Sequence, residues 1–530
     1  MLRDLKETGE KSLKCNTQVC IIGAGTAGLF LAAQLRKKGI EVTVLEGGGR
    51  RSRPLKGQCV FQDSIYHGAD EGRSFGLGGT SVLWGGQMLP LTESDLSRRP
   101  WVLNESWPLE YSEIKPYIQK VRHVLGLKSR ILEDPLKSTT VQKWFPLLSG
   151  IEKAFMVRLS EWIPFGKRNM FHLFRKEIED DEKLVVWLNA NVVDMSSEVG
   201  TTTSRISSVK AVGSNGNELL IDAEYVVICA GTLESTRLML EYNEKYSGCV
   251  TNAGAPLGKF FSDHLSVSAG KLISHGKRKS MQSLMPVFDN GVMRTPRLEL
   301  SPYIQKEEEI PSAFVHFPFN TTEPAGLDVV REVLRGRQQG KRPISMFENV
   351  GMLRVTKDIS ALAYQRFLKK RLWIPPGAEV SLQIDIEQVP QASNQLFLTE
   401  DRDEYHRKKL AIEWRISSRD IEVVEKVLQI LVSIWRETRI ARYAELHLNE
   451  KSEENAYRSL YDVYHPTGTL RMGASPSNSI VNRDLRVWCI ENCYISSTAV
   501  FPTAGSANPG LTHLALTMRL AEHISKILAR

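Results

Sequence analysis

The chain has 530 residues, of which 42% are hydrophobic and 25% charged, with a formal net charge of +8. That balance is the one expected of a soluble globular protein, too long for a single core and long enough for two or three domains. No run of 18 or more apolar residues occurs, so no apolar membrane-spanning helix is expected. The seven cysteines at 15, 20, 59, 229, 249, 489 and 493 are odd in number and form no Cys-x-x-Cys pair. They read as reduced, mostly buried thiols, not as a disulfide frame or a metal site.

Residues 1–16 are polar and lack the apolar stretch of a secretory signal, so a cytoplasmic location is expected. Residues 18–46 then read as strand, turn, helix ended by Gly39, and second strand. Residues 66–92 are glycine-rich, which implies positive φ angles or close backbone approach to a ligand. Residues 101–180 read as mixed and mostly helical. Residues 184–230 alternate as strands, with Ser214–Glu218 as the turn of a hairpin. Residues 232–243 form a helix. Val380, Leu382, Ile384 and Ile386 alternate with Ser381, Gln383, Asp385 and Glu387, the pattern of a half-buried antiparallel strand. Its polar face meets either water or a cavity. Arg419 to Glu437 reads as an amphipathic helix, and residues 461–530 as short strands, tight turns and a final helix.

Charge is unevenly placed. Between Arg331 and Arg371 there are eleven Lys/Arg and three acids, an excess equal to that of the whole chain. This basic insert, at about 325–375, is either a solvated surface or a contact with something anionic, such as a membrane surface or an acidic glycan. No nucleic-acid motif accompanies it.

Four motifs carry chemistry. Gly23-Ala24-Gly25-Thr26-Ala27-Gly28 joins a strand to a helix, and Glu46 ends the next strand. The first glycine turns the chain, the second lets backbone approach a pyrophosphate, and the third lets helix and strand pack. The acid suits a ribose 2′-hydroxyl, which favours FAD or NAD over NADP. Gly76-Leu77-Gly78-Gly79-Thr80-Ser81 with Trp84-Gly85-Gly86 can lie against a flat ring or a phosphate. A free surface loop there would expose Leu77, Val82, Leu83 and Trp84. The strand ending at Cys229-Ala230-Gly231-Thr232 is a buried β–α junction of the kind that closes over a nucleotide. His465-Pro466-Thr467-Gly468-Thr469 and Thr498-Ala499-Val500-Phe501-Pro502-Thr503 lead to Asn508-Pro509-Gly510-Leu511-Thr512 and a helix to about Leu528. Pro509 suits a first helical position, and the helix start offers free N–H groups and a positive dipole end. Taken alone, Asn508 is equally a helix N-cap and His465 a structural histidine.

These blocks, in this order, resemble the glucose–methanol–choline (GMC) oxidoreductases, and Gly76 to Gln87 with His465 to Thr469 resembles the branch of pyranose oxidase and sugar dehydrogenases. The resemblance implies an α/β fold: a Rossmann-like FAD/NAD(P)-binding domain and an α+β substrate domain on an antiparallel sheet. The FAD-binding domain would comprise 15–100, 184–265 and 456–530, and the substrate domain 101–183 and 266–455. It implies oxidation of an alcohol, a sugar or glycoside secondary hydroxyl, by hydride transfer to flavin, with O2 or a quinone-like acceptor. His465 would be the base and Asn508 its partner at the alcohol oxygen. Val193, Thr498, Ala499 and Thr512 join the cofactor contacts. Lyases and decarboxylases on the same scaffold are the alternative. Relatives that bind FAD covalently have a histidine where this chain has Leu83, so non-covalent FAD is expected. Many members have Asp where this chain has Ser497.

Overall fold

A computed structural model describes residues 1–63, 65–129, 139–200, 203–275, 279–321, 326–340, 352–375, 377–449 and 459–530. Part of the basic stretch, including Lys341 and Arg342, and the expected boundary at 456 lie outside the described residues.

Two sheets organise the chain. In the first, Leu2–Asp4, Leu184–Leu188, Val42–Leu45, Ser12–Ile22 and Glu218–Ile228 run parallel in that order. Cys493–Ile495 joins Glu218–Ile228 in parallel, although more than 260 residues separate them. Ser204–Val212 pairs antiparallel with Glu218–Ile228 around the 214–218 turn, and Asn191–Val199 adds antiparallel to Ser204–Val212. Val19, Cys20 and Ile21 are fully buried, as a strand covered on both faces requires. Helix Thr26–Arg36 follows, with Gly39 at φ +86° just beyond it, and packs against the final helix Gly510–Leu528.

The second sheet is antiparallel, in the order Ala444–Leu448, His264–Ser274, Glu379–Glu387, Ala313–His316, Val292–Leu300, Phe155–Trp162 and Gln87–Met88. Val380, Leu382, Ile384 and Ile386 face a second apolar core, as their spacing requires. The polar face divides. Ser381 and Gln383 are half-buried, while Asp385 and Glu387 are buried and paired. Asp385 lies 2.9 Å from His316, and Glu387 receives Arg99 through both carboxylate oxygens at 2.6 and 2.8 Å. Helix Ser418–Trp435 covers this sheet and opens with a reciprocal cap between Ser417 and Asp420.

Within 101–180, Tyr111–Leu125 is the expected helix, but Phe155–Trp162 is a central strand. Its alternation is hidden because Arg158 and Glu161 point inward and are buried. Arg158 meets Glu299 at 2.7 Å, and Glu161 meets Arg122 at 2.6 Å. Four of the seven cysteines (15, 59, 249 and 489) are half-exposed, where burial of most was expected.

The basic stretch is not a detached surface. Helix Gly326–Gln339 buries Leu327 and Val329, and its Gln338 donates to the carbonyls of Ser81 and Trp84, both at 3.0 Å. Asn169 in turn donates to Gln338 O at 3.0 Å. The insert therefore braces the glycine-rich loop.

Candidate active site

A cleft of about 660 Å³ lies between the two sheets. One end is made of backbone. Gly23, at φ +106°, turns the chain out of its strand, and a Cβ on Gly28 would sit 1.9 Å from Gly23 O. Gly79, at φ +50°, faces Gly25, and a Cβ there would come within 2.7 Å of Gly25 Cα. Leu77 and Val82 are buried beneath the loop, which is therefore anchored, while Leu83 stays 44% exposed on the cleft wall. Helix Thr26–Arg36 has no side-chain cap, so its first-turn N–H groups face the cleft at Gly25, Thr26 and Ala27. This is an anion-binding helix end.

Glu46 is buried and accepts three backbone N–H groups, from Ala24 at 2.9 Å, Gly48 at 2.9 Å and Gly76 at 3.1 Å. Burial pushes its pKa up, and the three donors oppose this. A carboxylate offers about four acceptor sites, so one remains for a hydroxyl. A bare glycine floor, an uncapped helix end and a carboxylate with one spare acceptor suit a dinucleotide with pyrophosphate and ribose. These residues fit FAD.

Gly23, Gly25, Thr26, Ala27, Glu46, Gly79, Thr80, Trp84, Gly85, Gly86, Ala230, Gly231, Thr498, Pro509, His465 and Asn508 all line this cleft. Gly28 and Gly78 shape the loops behind it. Val193, Ala499 and Thr512 are not brought to its lining. In the strand, Asn191 and Val192 take the lining position in place of Val193. Ala499 is buried, its N–H bonded to Ser497 Oγ at 3.0 Å, and Thr512 Oγ1 accepts from Leu91 N at 3.0 Å. Ser497 thus serves its own short helical turn.

Three separated blocks meet at the far end. The hydroxyls of Thr232 and Thr498 both donate to Pro466 O at 2.8 Å, tying the loop after His465 to the Ala230–Gly231 junction. Helix Gly510–Leu528 begins at Pro509 without a side-chain cap. Asn508 does not cap it. Its Oδ1 accepts from Arg297 Nη2, and its Nδ2 lies 3.5 Å from His465 Nε2. His465 Nδ1 lies 3.1 Å from Nδ1 of His264, and His264 Nε2 lies 2.7 Å from Gly505 O. Asp263 accepts the backbone N–H of His264 at 2.6 Å, that of His465 at 2.8 and 2.9 Å, and the Tyr66 hydroxyl at 2.5 Å. Burial, with Asp462 nearby, raises the Asp263 pKa to about 8. Burial first, then His264 and Arg297, lowers that of His465 to about 3, so its ring is neutral at physiological pH.

Sequence reading missed His264, Asp263, Arg297 and Gly505. The signal nearest to hand was the polar run Ser262-Asp263-His264 at the start of a strand. Arg297 gave none, because a buried arginine in a strand reads as a surface position.

The fold and cleft define a flavin-nucleotide-binding protein of mixed α/β architecture. Residues 16–66 match an FAD binding domain and residues 390–517 the C-terminal domain of GMC oxidoreductases. Over these two stretches the chain is similar to FAD-binding proteins and to GMC oxidoreductases. It is 28% identical over 152 residues to a C-glycoside 3-oxidase of Microbacterium trichothecenolyticum, a stretch covering 28% of this chain and only 28% of that relative. It is 21% identical to the fructose dehydrogenase large subunit of Gluconobacter japonicus, across 96% of this chain and 98% of that one. Pyridoxine 4-oxidase from Mesorbium loti shares the fold, with a TM-score of 0.60 and 17% identity, over 96% of this chain and 99% of that chain. No helix among the described residues is long and apolar enough to cross a membrane.

Proposed function

We propose that the chain is an FAD-dependent oxidoreductase that converts a secondary hydroxyl of a sugar or glycoside to a carbonyl. The observation that supports this is the pairing of His465 and Asn508 in the cleft, 3.5 Å apart and beside an uncapped helix start. An alcohol oxygen placed between them donates its proton to the His465 lone pair and accepts from the Asn508 amide. FAD, when bound, supplies the acceptor for the carbon-bound hydrogen and its electron pair. His465 takes the hydroxyl proton, so the alcohol loses two electrons and two hydrogens in all. The neutral imidazole has a lone pair for that proton, and nearby Asp385 offsets part of what burial costs the imidazolium. The positive end of helix Gly510–Leu528 favours negative charge developing nearby. A sugar is favoured by polar Gln87 and Tyr464 on the cleft wall and by relatives whose names specify glycoside or fructose chemistry.

Anaerobic bleaching of the flavin over a panel of sugars and glycosides tests the reading. His465→Ala is expected to keep FAD and slow bleaching by about 10²- to 10⁴-fold, the range of a general base. Bleaching at the wild-type rate would refute it.

Three finer points belong to the same proposal. FAD is held non-covalently, because Leu83 offers no nucleophile; flavin that stays with acid-precipitated chain would contradict this. Segments 15–100, 184–265 and 456–530 act as the cofactor domain, and 101–183 and 266–455 as the substrate domain. The basic stretch rests against an anionic lipid surface. Helix Met352–Phe367 and the residues after it expose Ile359, Tyr364, Phe367 and Leu368 beside Lys357, Arg366, Lys369 and Lys370, pairing apolar insertion with positive charge.

A further inference from the structure

The His264 and His465 rings meet edge to face, centroids 5.1 Å apart and planes at 82°, with like atoms opposed: Nδ1 to Nδ1 at 3.1 Å. Such a contact needs one donor and one acceptor, and the far ends of the network decide which is which. His264 Nε2 lies 2.7 Å from Gly505 O, and a carbonyl only accepts, so Nε2 carries the hydrogen. Burial lowers the His264 pKa, so the ring is neutral and has a single N–H. His264 Nδ1 is therefore a lone pair, His465 Nδ1 must donate, and His465 Nε2 is left as the unprotonated, accepting nitrogen.

The opposite end gives the same answer independently. Arg297 only donates, so Asn508 turns its Oδ1 to Arg297 and its NH2 to His465. His465 Nε2 must then accept. Five groups form one directional chain: Arg297 donates to Asn508, Asn508 faces His465 Nε2, His465 Nδ1 donates to His264, and His264 Nε2 donates to Gly505.

Both anchors are fixed. Gly505 N donates to Glu387 Oε1 at 2.8 Å, and at φ +58° a Cβ there would sit 2.5 Å from Leu91 Cδ2. Arg297 is buried, its guanidinium 4.1 Å from the Phe314 ring centroid. The charged and titratable groups around the two rings are Asp263 at both backbones, with Arg297, Asp385 and Glu387 on neighbouring strands.

We propose that His264 is a positioning residue which, through the Gly505 carbonyl, holds His465 in the Nδ1–H tautomer and so keeps Nε2 available as the base. This rests on the reading of His465 as that base. When the substrate O–H bond breaks and an H–Nε2 bond forms, the Nδ1–H bond stays intact. The positive charge then spreads to an N–H already held by the His264 lone pair. A base whose tautomer is imposed by a neighbouring group loses most of its rate when that neighbour goes.

The test uses the FAD-loaded full chain. Ring ¹⁵N shifts of labelled histidines, with His465→Ala for assignment, are expected to show His465 protonated at Nδ1. Protonation at Nε2 would overturn the proposal without any variant. His264→Leu is expected to retain flavin, move the His465 proton to Nε2 or to a mixture, and slow bleaching about 10²-fold. His264→Asn, which offers an amide oxygen at the Nδ1 position, is expected to restore most of the rate and the Nδ1–H signal. Equal losses in both variants with unchanged His465 shifts would mean a purely structural role and overturn it, as would an unchanged rate in His264→Leu. Unchanged bleaching in His465→Ala would instead overturn the reading of the base itself.

Discussion

The two ends of the cleft are built from different materials. The end that fits pyrophosphate and ribose is nearly all backbone: glycines too crowded for a Cβ, an uncapped helix end, and one acid held by main-chain N–H groups. The far end, around His465, is built from side chains paired across more than 200 residues of sequence. Backbone sites are encoded locally, by glycine spacing within a short βαβ unit. Side-chain networks are encoded by tertiary contacts, and each member means little alone.

That contrast can be attacked from both sides. The largest effect is expected at Gly28→Val, whose branched side chain cannot coexist with Gly23 O at 1.9 Å. The protein should emerge without flavin or insoluble, read by the 450 nm absorbance of the purified chain. A normally loaded Gly28→Val would show that the backbone end tolerates side chains and erase the distinction. Next is Arg99→Met. It strands the buried Glu387 carboxylate, which also holds Gly505 and Ser312, and a broken buried pair costs about 3–5 kcal/mol. Denaturant midpoints should fall accordingly, and bleaching should slow in the protein that remains folded. An unchanged midpoint would say that the network ties nothing together.

A smaller effect separates charge from packing at the His465 end. With the His465 pKa lowered to about 3, its base form predominates from well below neutral pH upward. The His465 titration should therefore leave the bleaching rate flat from about pH 7, below the Asp263 transition, down to about pH 5, with the fall coming at lower pH. Arg297→Met removes a positive charge that lowers this pKa, so the acid limb should move to higher pH. The same change frees the Asn508 amide to turn and should cost about tenfold in rate, in line with other supporting contacts. A limb that stays in place would remove Arg297 from the electrostatics of the site. The smallest effect lies outside the cleft: co-sedimentation with phosphatidylserine vesicles should exceed that with phosphatidylcholine and drop in Phe367→Ser/Leu368→Ser. Equal sedimentation with both lipids, or self-association through that face, would remove the lipid assignment.

The same contrast explains what was legible beforehand. Gly23 to Gly28 with Glu46, the loop at 76–86, and the strand at 380–387 all obey short-range rules of period and turn, and the structure places them accordingly. Strand Phe155–Trp162 was hidden because Arg158 and Glu161 face inward, and only their partners Glu299 and Arg122 make that possible. Val193 was assigned one residue from the lining Val192 where a register shift between Val192 and Asp194 interrupts the strand's pairing. Asn508 was indistinguishable from a helix cap until Arg297, on another sheet, fixed where its amide points. His264 lacked any sequence cue that it meets His465, 201 residues later.

The first sheet takes its strand Cys493–Ile495 only after nearly 500 residues have been made, and helix Gly510–Leu528 then closes against helix Thr26–Arg36. During synthesis, the nucleotide-binding turn at Gly23 leaves the ribosome long before the partners that complete its pocket. The cleft that fits FAD is thus complete only when Cys493–Ile495 and the segment that carries Asn508 and Pro509 are in place. Chaperone dependence and flavin supply should both bear on yield at that stage.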